Sequence, residues 1–395
     1  MRRLLLVIFS LWCVTAASAQ EATPTRAQLD FNTPVLLWAA GDLYSIRSNE
    51  TTVPPVRLTE SGAISGVALA PFGRMVAYRE ASPVGIEAIS RIQSDGPIAE
   101  FDLPTDIVLL DPLMGERRVL ASQPADASLF VDGAPDNARV RSAPVWSPDG
   151  TRIAWTELAF GAPVAQLYQY DLGINLTAML EINMPVQRGS APELVWGASG
   201  FAISGGESIT GEHTYYLYGS DGTLRFPVVA RPVPGETLEL VTWVQRDEAG
   251  MSEEEWFGML FSSGRWALAD PATGNEISIE GTPQKYALDD PWGTLGLRFG
   301  IAQDIGFFWE TLDRGQAESA GGAFPASPLR ATLSPSGRSV AFLGYPSFTG
   351  AALWLDGRIV SIAGTGSGQL EVGAIFWGAT GWRMGEAVQA IAEEG

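Results

Sequence analysis

The chain has 395 residues, 46% of them hydrophobic and 18% charged, with 44 glycines and 26 prolines. That is enough apolar material for one large core with many turns, and it excludes a collagen-like or disordered chain. A net charge of −20, one histidine and one cysteine exclude a phosphate-backbone binder, a disulfide framework and a multi-histidine metal site.

Residues 1–19 read as a secretory signal. Arg2 and Arg3 supply the positive start, Leu4 to Val14 the apolar core, and Ala17-Ser18-Ala19 the small-residue cleavage site before Gln20. The apolar run is too short for a good membrane-spanning helix, and no later segment is longer. The expectation is a secreted, periplasmic or cell-surface protein with no membrane-spanning segment in the mature chain. Cys13 leaves with the signal, and the bulky Trp12 before it does not suit lipid attachment. Residues 20–34 read as a polar linker.

From residue 35 one phrase recurs. Its fullest copy is Val145-Trp146-Ser147-Pro148-Asp149-Gly150-Thr151-Arg152-Ile153-Ala154-Trp155. Leu69-Ala70-Pro71-Phe72-Gly73-Arg74-Met75-Val76-Ala77-Tyr78 precedes it, and Leu333-Ser334-Pro335-Ser336-Gly337-Arg338-Ser339-Val340-Ala341-Phe342 follows. Each is a strand end, a Pro/Gly turn and a new alternating strand. Shorter copies lie at 194–203 and 375–384, and divergent ones around 239–260, with Trp243, and 286–302, with Trp292. A second hairpin type alternates with the first. Its copies lie at 42–58, 106–120, 166–182, 215–229, 266–279, 305–318 and 352–362, with Asp-Gly turns at Asp221-Gly222 and Asp356-Gly357.

Turns of the first type mostly recur about every 44–50 residues, the length of one propeller blade. The pattern predicts an all-β chain: a β-propeller over 35–385, with seven four-stranded blades. Six are compatible with the weak fourth and fifth copies. Because the series opens on the second hairpin type and closes on the first, the ring is expected to close by pairing the N- and C-terminal strands. Residues 386–395 form a tail. Two polar stretches, 81–105 and 122–142, read as long loops on one blade.

Trp146-Ser147-Pro148-Asp149-Gly150 resembles the core of the TolB-like, WD-type propeller repeat. Ala70-Pro71-Phe72-Gly73 and Ser334-Pro335-Ser336-Gly337 match it in part. The resemblance covers about 35–384 and speaks for fold, not chemistry. It implies service in bacterial envelope assemblies or as the propeller before a peptidase domain.

The residues add little chemistry. Trp146, Trp196, Trp243 and Trp377 share one place in the repeat, which suits packing between blades. Burying each contributes up to ~5 kcal/mol. Trp256 and Trp292 are the candidates for carbohydrate stacking. His213, the only histidine, reads as a loop or strand-edge residue. Ser339 sits at a variable repeat position rather than in a nucleophile elbow, and Gly364-Thr365-Gly366-Ser367-Gly368 lacks the lysine of a phosphate loop. The acidic residues Asp247, Glu248, Glu253, Glu254, Glu255, Asp289 and Asp290 read as solvated loops without calcium-loop spacing. No catalytic, cofactor-binding or metal-binding residue is assigned, and no cofactor is expected.

The resulting expectation is a non-catalytic, protein-binding or scaffold module. Its partner would be another envelope or extracellular protein, bound through 81–105 and 122–142. The alternatives are a polysaccharide- or peptide-acting enzyme with carboxylates in a central channel, and a small-ligand or calcium sensor.

Overall fold

The computed structural model describes residues 33–70, 75–92, 103–185, 191–197, 200–207, 211–232, 238–246, 253–261, 266–269, 276–278, 295–299, 306–311, 316–323, 331–334, 339–355 and 358–377. The expected signal, most of the linker, the tail, Trp292 and the acidic loops at 247–252 and 289–290 lie outside them.

These residues form antiparallel sheets in chain order. The first holds β1 (Val35–Ala39), β2 (Asp42–Ile46) and β3 (Val56–Arg57). The second is β4 (Ile64–Leu69), β5 (Val76–Ala81), β6 (Thr105–Asp111) and β7 (Glu116–Ala121), with helix α1 (Pro83–Ile92) between β5 and β6. The third is β8 (Arg139–Arg141), β9 (Val145–Trp146), β10 (Arg152–Ala159), β11 (Val164–Asp171) and β12 (Leu176–Pro185). The fourth is β13 (Leu194–Gly197), β14 (Gly200–Glu207), β15 (His213–Gly219) and β16 (Leu224–Ala230). The fifth is β17 (Leu238–Arg246), β18 (Glu253–Phe261), β19 (Trp266–Ala269) and β20 (Glu276–Ser278). The sixth is β21 (Leu295–Phe299), β22 (Gly306–Thr311) and β23 (Gln316–Ala323). The seventh is β24 (Ala331–Leu333), β25 (Val340–Leu343), β26 (Ala351–Leu355) and β27 (Arg358–Ser361). The last strand, β28 (Val372–Phe376), pairs with β1 and completes the first sheet.

The repeated phrase has one physical meaning in two places. Ser147 N–H donates to the Arg152 carbonyl at 2.8 Å, and Arg152 N–H donates back to Ser147 Oγ at 2.9 Å. Ser334 and Ser339 repeat the pair at 2.8 and 3.1 Å. Asp149 Oδ1 accepts from Ser147 Oγ, Thr151 N–H and Thr151 Oγ1. Asp and Ser side chains thus take over the backbone hydrogen bonding of the turn. The second hairpin type uses aspartate differently. Asp111 Oδ1 accepts from the N–H groups of Leu113 and Met114, and Asp171 Oδ1 from those of Gly173 and Ile174.

The second to fifth sheets touch in succession, β4 with β9, β9 with β13 and β13 with β17. Strands buried on both faces therefore read as continuous apolar runs. In Ile107-Val108-Leu109-Leu110, Val108 and Leu110 pack toward Leu36 and Leu43 of the first sheet. Ile107 and Leu109 pack toward Trp146, Ile153 and Trp155 of the third. The expected tryptophan role is visible where side chains are described. Trp146, Trp196 and Trp377 are buried, and Trp146 Nε1 donates to the Ala68 carbonyl of β4 at 3.0 Å.

Four details differ from expectation. Glu253, Glu254 and Glu255, read as part of an acidic loop, stand in β18 opposite Arg246, Gln245 and Val244. Val35-Leu36-Leu37-Trp38-Ala39 is itself a strand, so one C-terminal strand, not a hairpin, joins the first sheet. The hairpin expected around 286–302 has its strands at 295–299 and 306–311. The polar stretch 81–105 begins with a helix. Ser82 caps it, its Oγ accepting from Gly85 N–H at 3.2 Å, and Pro83 occupies the first turn, where a missing N–H costs nothing.

Candidate active site at the foot of two long loops

The segments on either side of β6 and β7 meet. Ala88 of α1 packs with Leu129 and Ala138 of the loop before β8, and Val84, Leu103 and Phe160 close around them. Beside this contact lies a row of charged side chains at the ends of otherwise apolar strands.

Arg141 is its centre, with only 2% of its side chain exposed. Its Nε donates to Glu157 Oε2 at 2.7 Å and its Nη2 to the Ser122 carbonyl at 2.9 Å. Its Nη1 donates to the Thr105 carbonyl and lies 3.8 Å from Asp106 Oδ1. Arg79 Nη1 donates to the carbonyl of Arg141 at 3.0 Å. Arg139 Nε stands 3.8 Å from Glu157 Oε1. On the other side Arg117 forms an ion pair with Glu80. The row runs Arg117, Glu80, Asp106, Arg141, Glu157, Arg139.

Backbone irregularity makes room for it. The strand that would pair continuously with β10 is split into β8 and β9 around Ser142, Ala143 and Pro144, and proline has no N–H to give. Ser142 N–H donates to the Thr156 carbonyl at 3.0 Å and its Oγ accepts from Thr156 N–H at 3.0 Å, so the split costs few hydrogen bonds. Opposite, β4 bulges between Ser65 and Ala68. There Gly66 has φ +55°, and a Cβ would come within 2.7 Å of the Ala143 Cβ. Only glycine suits both the left-handed backbone and that approach.

Glu80 and Asp106 lie directly opposite each other across β5 and β6. Directly opposite like charges repel. Burial is the main force pushing the Asp106 carboxyl above its ordinary range, and the Glu80 charge adds to it. Arg141, the Gln123 N–H and Arg117 pull the other way without prevailing. Gln123 ties the loop to the sheets. Its N–H donates to Asp106 Oδ1 at 3.1 Å, its Nε2 reaches the carbonyls of Thr105 and Arg139 at 2.9 Å each, and its Oε1 accepts from Arg139 N–H at 2.7 Å. Chemically the row offers one carboxyl whose affinity for its proton is raised, two carboxylates paired with arginines, and guanidinium donors around them.

Other residues weighed from sequence fall elsewhere. His213 opens β15, opposite Glu207 and Ala230. Ser339 closes its turn with Ser334. Thr365 of the glycine-rich loop is buried, its Oγ1 accepting from Ala351 N–H at 3.1 Å. Among the described residues no group of three or more His, Cys, Asp or Glu side chains is placed to hold a metal ion. No described helix is long and apolar enough to cross a membrane. Sequence reading passed over Glu80, Asp106, Arg141 and Glu157. The signal for them was charge at the ends of strands that are otherwise apolar.

No protein-family model matches the chain, and no characterised protein matches it in sequence. Among solved structures it is similar to the β-propeller domain of the trilobed protease from Pyrococcus furiosus, at 14% identity over 76% of this chain and 84% of that one, with a TM-score of 0.43. Oligogalacturonate lyase from Vibrio parahaemolyticus is similar at 14% identity over 80% and 84%, TM-score 0.42. Acylaminoacyl peptidase from Pyrococcus horikoshii is similar at 14% identity over 76% of this chain and 46% of that one, TM-score 0.40. At such identities and scores these likenesses concern form, and no reaction carries over from them. They do correct one expectation. A non-catalytic scaffold was inferred from the repeat and the scarcity of nucleophiles, yet the chains of like form include a lyase and a peptidase. The repeat is therefore no argument against catalysis, and buried carboxylates need no serine or cysteine beside them. What the chain shares with these structures is the β-propeller architecture of successive antiparallel sheets.

Proposed function

We propose that the protein is an exported propeller enzyme that cleaves a polysaccharide at the foot of the loops 81–105 and 122–142. The observation that carries this reading is the placement of Glu80 directly opposite Asp106, with Arg117 beside the first and Arg141 beside the second. A pair of carboxyl groups can cleave a glycosidic bond, one as acid and the other as base or nucleophile. Asp106, which keeps its proton the longer, is the acid. Glu80, ion-paired with Arg117, is the base or nucleophile. The scaffold around them is a TolB-like, seven-bladed ring, closed by β28 joining the three N-terminal strands, and the leader at 1–19 directs it out of the cytoplasm.

The test is a screen of purified protein against a polysaccharide panel, reading new reducing ends and unsaturated products. Glu80→Gln and Asp106→Asn are each expected to lower turnover about 10²-fold or more on the substrate found. Activity that survives both substitutions overturns the assignment of these carboxylates. Cleavage of peptides alone overturns the substrate class.

A further inference from the structure

We propose that two copies of this chain pair through the outer edge of β12, as an antiparallel dimer with its two-fold axis at Ala178. The proposal goes beyond the reaction above and does not depend on it.

An open sheet edge invites another strand, and natural sheets guard such edges with charge, proline or brevity. The other outer strands of this chain are guarded. β7 carries Glu116, Arg117 and Arg118, and β16 carries Arg225 and Pro227. β3 is two residues long and holds Arg57. β20 holds Glu276, β23 holds Glu318, and β27 begins at Arg358.

β12 is built differently. It ends its sheet, with β11 on one side and no strand of the described residues on the other. From Leu172 to Leu180 the sequence has no charged residue and no proline. Ile174, Leu176 and Met179 are 69%, 57% and 50% exposed, and Thr177 and Ala178 are exposed between them. Apolar side chains exposed together on an unguarded edge mark an interaction site. The far half of the strand is covered instead. Ile182 and Met184 are buried, and the turn at Gly222 of the next sheet lies against Ile182.

Charge selects a second copy as the occupant. The chain carries a net charge of −20, so most approaches of one copy to another set like charges together. The uncharged edge avoids this. Pairing about Ala178 sets Leu176 of each copy opposite Leu180 of the other, and Thr177 opposite Met179. It also sets Glu181 opposite Asn175, whose Oδ1 accepts from Arg118 Nη1 at 2.6 Å. Arg118, 5.5 Å above the Tyr170 ring, is thereby brought beside the Glu181 position of the other copy at both ends of the contact. The edge complements itself, as a two-fold contact requires.

Sedimentation velocity of the purified protein over a concentration series tests the pairing. The wild type is expected to dimerise with a Kd on the order of 10 µM or tighter. Leu176→Lys and Met179→Lys, both at exposed positions, are each expected to weaken the dimer about tenfold or more, with the circular dichroism spectrum unchanged. Arg118→Glu is expected to weaken it, and adding Glu181→Arg to restore it. In a Cys13→Ser background, Ala178→Cys is expected to form a disulfide between copies, whereas Leu224→Cys, at the exposed start of β16, forms none. A wild type that stays monomeric up to about 100 µM overturns the dimer, as an edge reserved for another protein's strand would. A dimer that both lysine variants keep, or that Ala178→Cys does not cross-link, overturns its placement on β12.

Discussion

The seam between the last and first sheets and the seam between the second and third are built from the same repeat but filled differently. At the first, Val35, Leu37, Ile46, Leu343, Leu353, Ile375 and Trp377 form an apolar layer. At the second, Ile107, Leu109, Trp146, Ile153 and Trp155 form a similar layer, but its loop end is given over to Arg79, Arg141, Glu157 and Asp106. A buried ion pair contributes little net stability against well-packed hydrophobic residues of like volume. Among the described residues the first seam is filled without one. The charges at the second seam are therefore not needed to join two blades, which is the physical reason to look there for chemistry.

The comparison can be broken at its centre. Arg141→Ala leaves the largely covered Glu157 without its close cation and the Thr105 and Ser122 carbonyls without their guanidinium donors, so a loss of about 3 kcal/mol is expected by chemical denaturation. Arg141→Met with Glu157→Leu removes both charges but does not restore the donors to the two carbonyls, and is expected to regain part of that loss. If the double variant is as unstable as the single one, the row is scaffolding after all. At the apolar seam Leu37→Ala, at a fully buried position, is expected to cost about 2–5 kcal/mol. No second substitution nearby is expected to restore it, because the loss there is volume rather than charge. The smallest effect sharpens the contrast through pH. Asp42, in the first sheet, feels burial pushing its carboxyl up, but Arg57 at 2.5 Å, Gly62 N–H and Thr59 Oγ1 hold it below the usual 3.8. Its stabilisation is present above about pH 4 and is lost as pH falls through the lowered value. Asp42→Asn is expected to flatten that acid limb of the denaturation midpoint. Asp106 has the opposite sign, so its contribution grows as pH falls.

The fold was legible where local chemistry decides it. Ser147, Asp149 and Ser334 build their turns from atoms within five residues, and such turns repeat visibly. The alternation in Ile107-Val108-Leu109-Leu110 follows from a strand pressed between two others. What escaped was decided at long range or hidden by composition. Its polar, Pro/Gly/Asp-rich composition made 81–105 read as loop, although Ser82-Pro83 ahead of Val84 and Ala88 is a helix start. The charged row joins residues from 79 to 157, and among 45 acidic residues nothing local marks Glu80 and Asp106 as neighbours. The apolar run 35–39 was not read as a strand, although β2 begins three residues after it and β28 pairs with its other side.

That pairing also sets an order in time. A chain made from its N-terminus presents β1 to β3 early, while the strand that covers the free side of β1 arrives roughly 330 residues later. Through most of synthesis Leu36 and Leu37 sit on an open edge able to recruit a foreign strand. The first sheet to be made is the last to be finished, and the nascent chain needs shelter for that interval.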